Sequence, residues 1–230
     1  MKTLPFTLSA AAALVLGIMP ASATIYTDAT GDFTGGNSDL DIASVGVNND
    51  GSSLTFTINL AGNPSNGNWY NYYVGISKNL FGGVGGNLNA SGGWGKDIQM
   101  STGGMDFFLG SFPFYAGSSL LSWNGSAWTT TSGTASENTT SVTIPVSLAA
   151  LGLSAGNSFT FDVWASDSGA DTVLDALSDG TARSWNGNAF DTGANALSYT
   201  VVAPEPGTMV LAGMGLMLAF LRSRGSARQS

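Results

Sequence analysis

Between residues 40 and 202 the chain alternates apolar and polar positions in short runs. Leu40-Asp41-Ile42-Ala43-Ser44-Val45-Gly46-Val47 is one such run, and Leu54-Thr55-Phe56-Thr57-Ile58-Asn59-Leu60 is the next. A period of two puts every second side chain on one face, so each run predicts a half-buried strand. Asn48-Asn49-Asp50-Gly51 lies between them and marks a tight hairpin. Further strands are predicted over 69–77, 96–101, 106–109, 119–123, 127–130, 140–146, 158–165 and 196–202. Asn124-Gly125 provides a second hairpin turn, between Trp123 and Trp128. Only Ser147–Leu153 has even a brief helical pattern. About ten short strands separated by turn residues predict an all-β fold, an antiparallel β-sandwich, with an open barrel as the alternative. Glycine-rich 81–95 and the stretch from Asp167 to about Asn195 are expected to be loops.

The two ends break this pattern. Residues 1–23 hold Lys2, an apolar run from about Leu8 to Met19, and then Pro20-Ala21-Ser22-Ala23. That order is expected of a cleaved signal peptide, with an apolar helix too short for a stable membrane anchor and a cut after Ala23. At the other end Pro204-Glu205-Pro206 is expected to break both helix and strand. Gly207–Leu221 is apolar throughout and Arg222-Ser223-Arg224 follows. A helix here would leave its arginines in the cytoplasm and the domain outside. The expected organisation is therefore a signal peptide at 1–23, one β-sandwich domain at 24–203, a sorting segment with a hydrophobic helix at 204–225 and a short tail at 226–230.

Charge and composition narrow the chemistry. Residues 24–203 carry three cations, Lys78, Lys96 and Arg183, against fourteen acids, a net of −11. Such a surface repels nucleic acid and suits cations or neutral sugars. The chain has no cysteine, so an exported fold must hold without disulfides. It has no histidine either, which removes the usual general base and the commonest metal ligand. No cofactor is expected. Among metals, an oxygen-ligated ion such as calcium is the one this composition suits.

Two acidic groups stand out. Asp167, Asp171, Asp175 and Asp179 recur every four residues, and Asp28, Asp32, Asp39 and Asp41 cluster early. Four carboxylates stacked on one helix face would repel, so a solvated loop or a bound calcium ion is expected instead. Aspartates also favour turns for local reasons, and both readings stand open. Trp94, Trp123, Trp128 and Trp185 fall near turns, where exposed rings would stack on sugars; buried packing is the alternative for each. An enzyme is not expected. Nucleophile–base pairs of the Cys–His kind are absent, and the domain has a single glutamate, Glu137. A glycan hydrolase working through two aspartates is the weakest reading.

The Pro204-Glu205-Pro206 motif, the Gly207 start, the single apolar span and the basic finish resemble the sorting signal of bacterial PEP-CTERM proteins. That resemblance implies transient anchoring in the inner membrane through 207–221. It also implies processing by an exosortase-type enzyme, in a Gram-negative cell that makes exopolysaccharide. The order of "DATGD" at 28–32, the runs at 40–47 and 54–58, "WYNYYVGI" at 69–76, "GGMDFFLGS" at 103–111, "LLSWNGSAW" at 120–128 and 143–166 resembles DOMON-like and carbohydrate-binding-module β-sandwiches, a jelly-roll type of fold. Members of that superfamily bind sugars or haem, and a chain without histidine is poorly suited to haem. The implied function is an exported, non-catalytic surface or matrix protein that binds or organises exopolysaccharide. The alternative is a calcium-stabilised adhesion protein that binds other proteins.

Overall fold

The computed structural model describes residues 18–19, 23–65, 69–78, 93–113, 117–167, 173–185, 189–203 and 205–206. The chain forms two units, one of Met1–Met19 with Pro204–Ser230 and one of Pro20–Ala203. In the first, β1 (Ile18–Met19) pairs antiparallel with β16 (Glu205–Pro206), Ile18 opposite Pro206. Two expectations are corrected here. Ile18 and Met19 are strand rather than the end of a signal helix. Pro206 also joins a strand that it was expected to break, because a two-residue ladder tolerates one missing donor. The rest of the expected signal helix, and the hydrophobic helix at 207–221, lie outside the described residues. Among the described residues no helix is long and apolar enough to cross a membrane.

The second unit is all-β. Along the chain it has β2 (Thr24–Thr27), β3 (Ile42–Asn49), β4 (Ser53–Leu60), β5 (Tyr70–Ser77), β6 (Ile98–Gln99), β7 (Phe107–Phe112) and β8 (Gly117–Trp123). It continues with β9 (Trp128–Ser132), β10 (Ser136–Glu137), β11 (Ser141–Ser147), β12 (Ser158–Asp167), β13 (Asp175–Ala176), β14 (Phe190–Asp191) and β15 (Leu197–Thr200). One antiparallel sheet has the order β10-β11-β4-β3-β2. The other runs β13-β12-β5-β7-β8-β9, with β15 also paired to β12. A small parallel pair joins β14 to β6.

β4 alternates between partly and fully buried positions along its whole length, as a strand with one face on a core should. Its Leu54, Phe56, Ile58 and Leu60 meet Tyr72, Val74 and Ile76 of β5, and Phe161 and Val163 of β12, in one core cluster between the sheets. β5 does not alternate in burial, because both faces are covered. Its other face carries Tyr73, which packs with Phe108, Trp164, Met100, Ile98 and Phe190 in a second cluster. The β6–β14 pair supplies Ile98 and Phe190 to this cover. The 167–195 stretch, expected to be a loop, thus contributes β13, β14 and part of a core. Ser147–Leu153 forms one helical turn, with Leu151 N donating to Ser147 O at 3.2 Å, and goes no further.

Both expected hairpins form. Asp50 Oδ1 accepts from Ser52 N at 2.9 Å and Ser53 N at 2.8 Å, while Gly51 takes φ +91°. That positive φ is open to glycine at little cost. Asn124 Oδ1 likewise accepts from Ser126 N at 3.0 Å and Ala127 N at 2.9 Å. Trp123 then lies opposite Trp128, edge to face at 5.4 Å.

A candidate cation centre at one end of the sandwich

Asp28 follows β2 directly, and its N–H donates to Ala43 O at 3.1 Å. The chain then turns, and Gly31 N donates to Asp41 Oδ2 at 2.7 Å. Asp32 is fixed through its backbone, where Arg183 N donates to Asp32 O at 2.7 Å beside the Phe33–Arg183 bridge. Asp41 stands between a short 3-10 turn (Ser38–Leu40) and β3. Asp175 arrives from the opposite sheet on β13, held by its pairing with Ala165 of β12. Its Oδ2 accepts from Ile42 N at 2.6 Å and its Oδ1 from Ala176 N at 2.8 Å. One carboxylate therefore ties the edge of the larger sheet to the start of a strand in the smaller one.

These placements bring Asp28, Asp32 and Asp175 together, one carboxylate oxygen of each within 4.8 Å of the others. Asp32 is only 8% exposed. Both its oxygens, together with Asp28 Oδ2 and Asp41 Oδ1, are buried without a hydrogen-bond partner among the described residues. Buried carboxylates that lack partners and face one another are costly. The electrostatics show it. Burial, then the charges of Asp32, Asp162 and Asp41, push the Asp28 carboxyl up to about 7, against the pull of Ala29 N–H. Burial, then Asp32 and Asp28, push Asp175 up to about 8, although the Ile42 and Ala176 N–H groups oppose it. Asp32 is raised as well, by burial first and Asp41 next.

An oxygen-only donor set of this kind suits a hard cation. Asp28, Asp32 and Asp175 would hold it, with Asp41 adding charge beside them. Calcium, which accepts mixed carboxylate and carbonyl ligands, fits best.

The candidate aspartates divide. Asp28, Asp32 and Asp175 converge, although they come from two clusters more than a hundred residues apart. Asp39 turns elsewhere, its Oδ1 accepting from Asn63 N at 2.7 Å. Asp179 pairs with Arg183 at 2.6 Å and, with help from Thr181, sits below the usual carboxylate range despite burial acting against it. Asp167 ends β12, where its carbonyl accepts from Ser166 Oγ at 3.2 Å. Asp171 lies outside the described residues. Asp162, which the sequence did not single out, is fully buried among Ser178 Oγ, Thr192 Oγ1 and Val163 N, a satisfied structural group.

The aromatic candidates divide as well. Trp185 is exposed beside the carboxylates, edge-on to Phe33 at 5.1 Å, with its Nε1 donating to Gly35 O at 2.8 Å. Trp94 is exposed over the second core cluster, 5.1 Å from Phe112 and 5.4 Å from Phe108. Its φ of 57° is left-handed, a strain of about 1 kcal/mol for a residue with a Cβ. Trp123 and Trp128 are partly buried against each other. Trp69, which the sequence placed in a strand, precedes β5 and is half exposed. A cleft of about 270 Å³ opens between the sheets, lined by Leu109, Ser119, Thr131, Ile144 and Ala150 among others, with no charged residue.

Residues 202–224 match the PEP-CTERM protein-sorting motif. That motif marks a chain for export and for processing at the membrane by an exosortase-type enzyme, towards the cell surface. No curated protein matches the chain.

Proposed function

We propose that this exported, exosortase-sorted protein is a non-catalytic surface or matrix component. Its carboxylate centre binds calcium and its exposed tryptophans bind or organise exopolysaccharide. The observation that carries the reading is the convergence of Asp28, Asp32 and Asp175 around buried, unpartnered carboxylate oxygens. A cation there would cross-link the N-terminal segment, the start of β3 and β13, and so lock the end of the sandwich where Trp185 stands. The resemblance of the sequence stretches between 28 and 166 to DOMON-like and carbohydrate-binding-module sandwiches supports a sugar-facing role. So does a strongly acidic domain with neutral aromatic faces.

A second reading is adhesion to another protein by strand addition. It is favoured by β9, the last strand of the larger sheet, whose Thr129, Thr130 and Thr131 are exposed along an edge that no described strand pairs.

Co-sedimentation with the host's own extracellular polysaccharide, in calcium and in EDTA, tests the first reading. Binding in calcium that falls in EDTA, and that Trp185→Ala weakens without loss of fold, supports it. No sedimentation in either condition rejects the sugar role and leaves strand addition. Release of reducing ends would reject the non-catalytic assignment.

A further inference from the structure

The smaller sheet stops short on one side. β10 covers only Val142 and Thr143 of β11. Residues 144–147 pair with β4, and no other described strand reaches their second flank. Pro145 stands in this stretch, and a residue without an N–H suits an edge that no strand extends. The larger sheet continues further on the same side. β7, β8 and β9 pair in turn, with Leu109 opposite Leu120 and Leu120 opposite Thr131. Cross-strand partners share a face, and Leu109 and Leu120 belong to the cluster between the sheets. Thr131 and Ser118, two residues before Leu120, therefore also face the smaller sheet.

The overhang of one sheet beyond the other is what opens the cleft of about 270 Å³. Native interiors keep few voids larger than a water, so a space of this size is not a packing fault. Its floor is Leu109, Leu120, Ile144 and Val146, all buried core side chains. Ser118 and Thr131 add hydroxyls above that floor. No charged residue lines it, although residues 24–203 carry fourteen acids. At roughly 30 Å³ per water the cleft holds about nine waters, room for one sugar ring with a substituent and not for an oligosaccharide.

We infer that the cleft binds the terminal residue of a glycan, a neutral hexose that carries an apolar substituent such as a deoxy methyl or an acetyl group. The substituent rests on the leucine, isoleucine and valine floor. The ring hydroxyls meet those of Ser118 and Thr131. A fully hydroxylated hexose would press a hydroxyl onto a floor that offers it no partner, at a cost in binding. An ionised sugar would lose its water and meet no opposite charge. The site lies away from the carboxylate centre. On β4, Leu54 is opposite Val146 and Leu60 is opposite Ile42, six steps apart, or roughly 20 Å. The inference shares the sugar-facing role proposed above but neither its tryptophans nor its calcium, and is tested apart from both.

Saturation-transfer NMR detects weak binding and maps which ligand protons the protein holds. The full-length protein is kept in a phosphocholine detergent with EDTA. The probes are methyl quinovoside, which is methyl glucoside with its terminal hydroxyl removed, methyl N-acetylglucosaminide, methyl glucoside itself, and hexanol as a bare hydrocarbon. Saturation is expected at the deoxy methyl and acetyl protons, more strongly than at the ring protons. Methyl glucoside should compete at least about tenfold less well than methyl quinovoside. Ala150→Trp and Thr131→Trp each fill the cleft from an exposed position, and each should abolish the signal with an unchanged circular dichroism spectrum. Ala182→Trp, exposed and outside the cleft, should keep it. No saturation of either substituted glycoside overturns the inference, as does saturation of hexanol alone. Equal competition by methyl glucoside overturns it too. So does a signal that survives in a folded cleft variant, and one lost only in Trp185→Ala moves the sugar to the tryptophan.

Discussion

Asp32→Asn separates a cation centre from a chance meeting of acids. Asp32 is the cleanest position to change, because no other element of the fold bonds its side-chain oxygens and only the adjacent N–H groups of Asp32 and Phe33 act on its carboxylate. Its charge, however, is felt by both Asp28 and Asp175. With carboxylate oxygens within 4.8 Å, each ionised pair repels by about 3.5 kcal/mol at an effective dielectric constant of about 20. The full amount is not realised at neutral pH, because Asp28 and Asp175 take up protons instead. A gain of about 1–3 kcal/mol is therefore expected for Asp32→Asn in EDTA. For a domain of this size that is a rise in Tm of roughly 3–8 °C. In millimolar calcium the sign reverses. The wild-type protein is stabilised by the ion, and the variant, short of one charged ligand, is stabilised much less. Thermal melts of both proteins in both conditions give the four values needed. Identical wild-type melting in calcium and EDTA would refute the reasoning. So would an Asp32→Asn protein that melts below wild type in EDTA.

Two further outcomes follow from the same geometry and from the aromatic cover. Asp28 and Asp175 titrate near 7 and 8 in the fold but near 4 when unfolded, so the folded chain binds the extra protons. In EDTA their contribution is fully present below about pH 4 and is lost as pH rises through about 7 to 8. Calcium binds the ionised set, so the gap in Tm between calcium and EDTA should widen across that window, which melts at stepped pH will show. Separately, a Cβ at Gly110 would lie 2.9 Å from the Trp94 ring and 2.7 Å from Phe112 Cζ. Gly110→Ala should displace Trp94, costing about 1–3 kcal/mol and increasing acrylamide quenching of tryptophan fluorescence.

The strands were legible where alternation was long enough to count. β4 buries one face of its sheet against the other, and a period of two records that directly. β12, like β5, is covered on both faces, with Val163 in one cluster and Trp164 in the other. β10, β13 and β14 are two residues long and have no period. They exist because a neighbouring strand offers an edge, a fact of tertiary structure. β5 hid its inner face because both faces are covered, so Tyr72 and Tyr73 read alike although they serve different clusters. The carboxylate centre was half visible. Both acidic groups could be read from the chain, but each suggested a local site with its own neighbours. The structure draws two residues from one and one from the other, through the pairing of β13 with β12 and the bond from Ile42 N to Asp175. No local pattern encodes a contact across 133 positions. Trp69 was misplaced by one residue, which suffices to move a ring from a strand to solvent.

Asn49 holds Val202, its Nδ2 donating to Val202 O at 2.8 Å and its Oδ1 accepting from Val202 N at 3.1 Å, while Val201 is bonded to Asn157 and Gly156, so the sandwich finishes just before the Pro-Glu-Pro motif begins. The junction behaves as a perforation. Among the described residues a cut beyond it gives up only the two-residue pairing of β16 with β1 and leaves the β12–β15 ladder and the core side chain Val201 in place. The same seam makes the address portable. A lineage could exchange the sandwich in front of it, or move the tail behind another fold, without either part having to be redesigned.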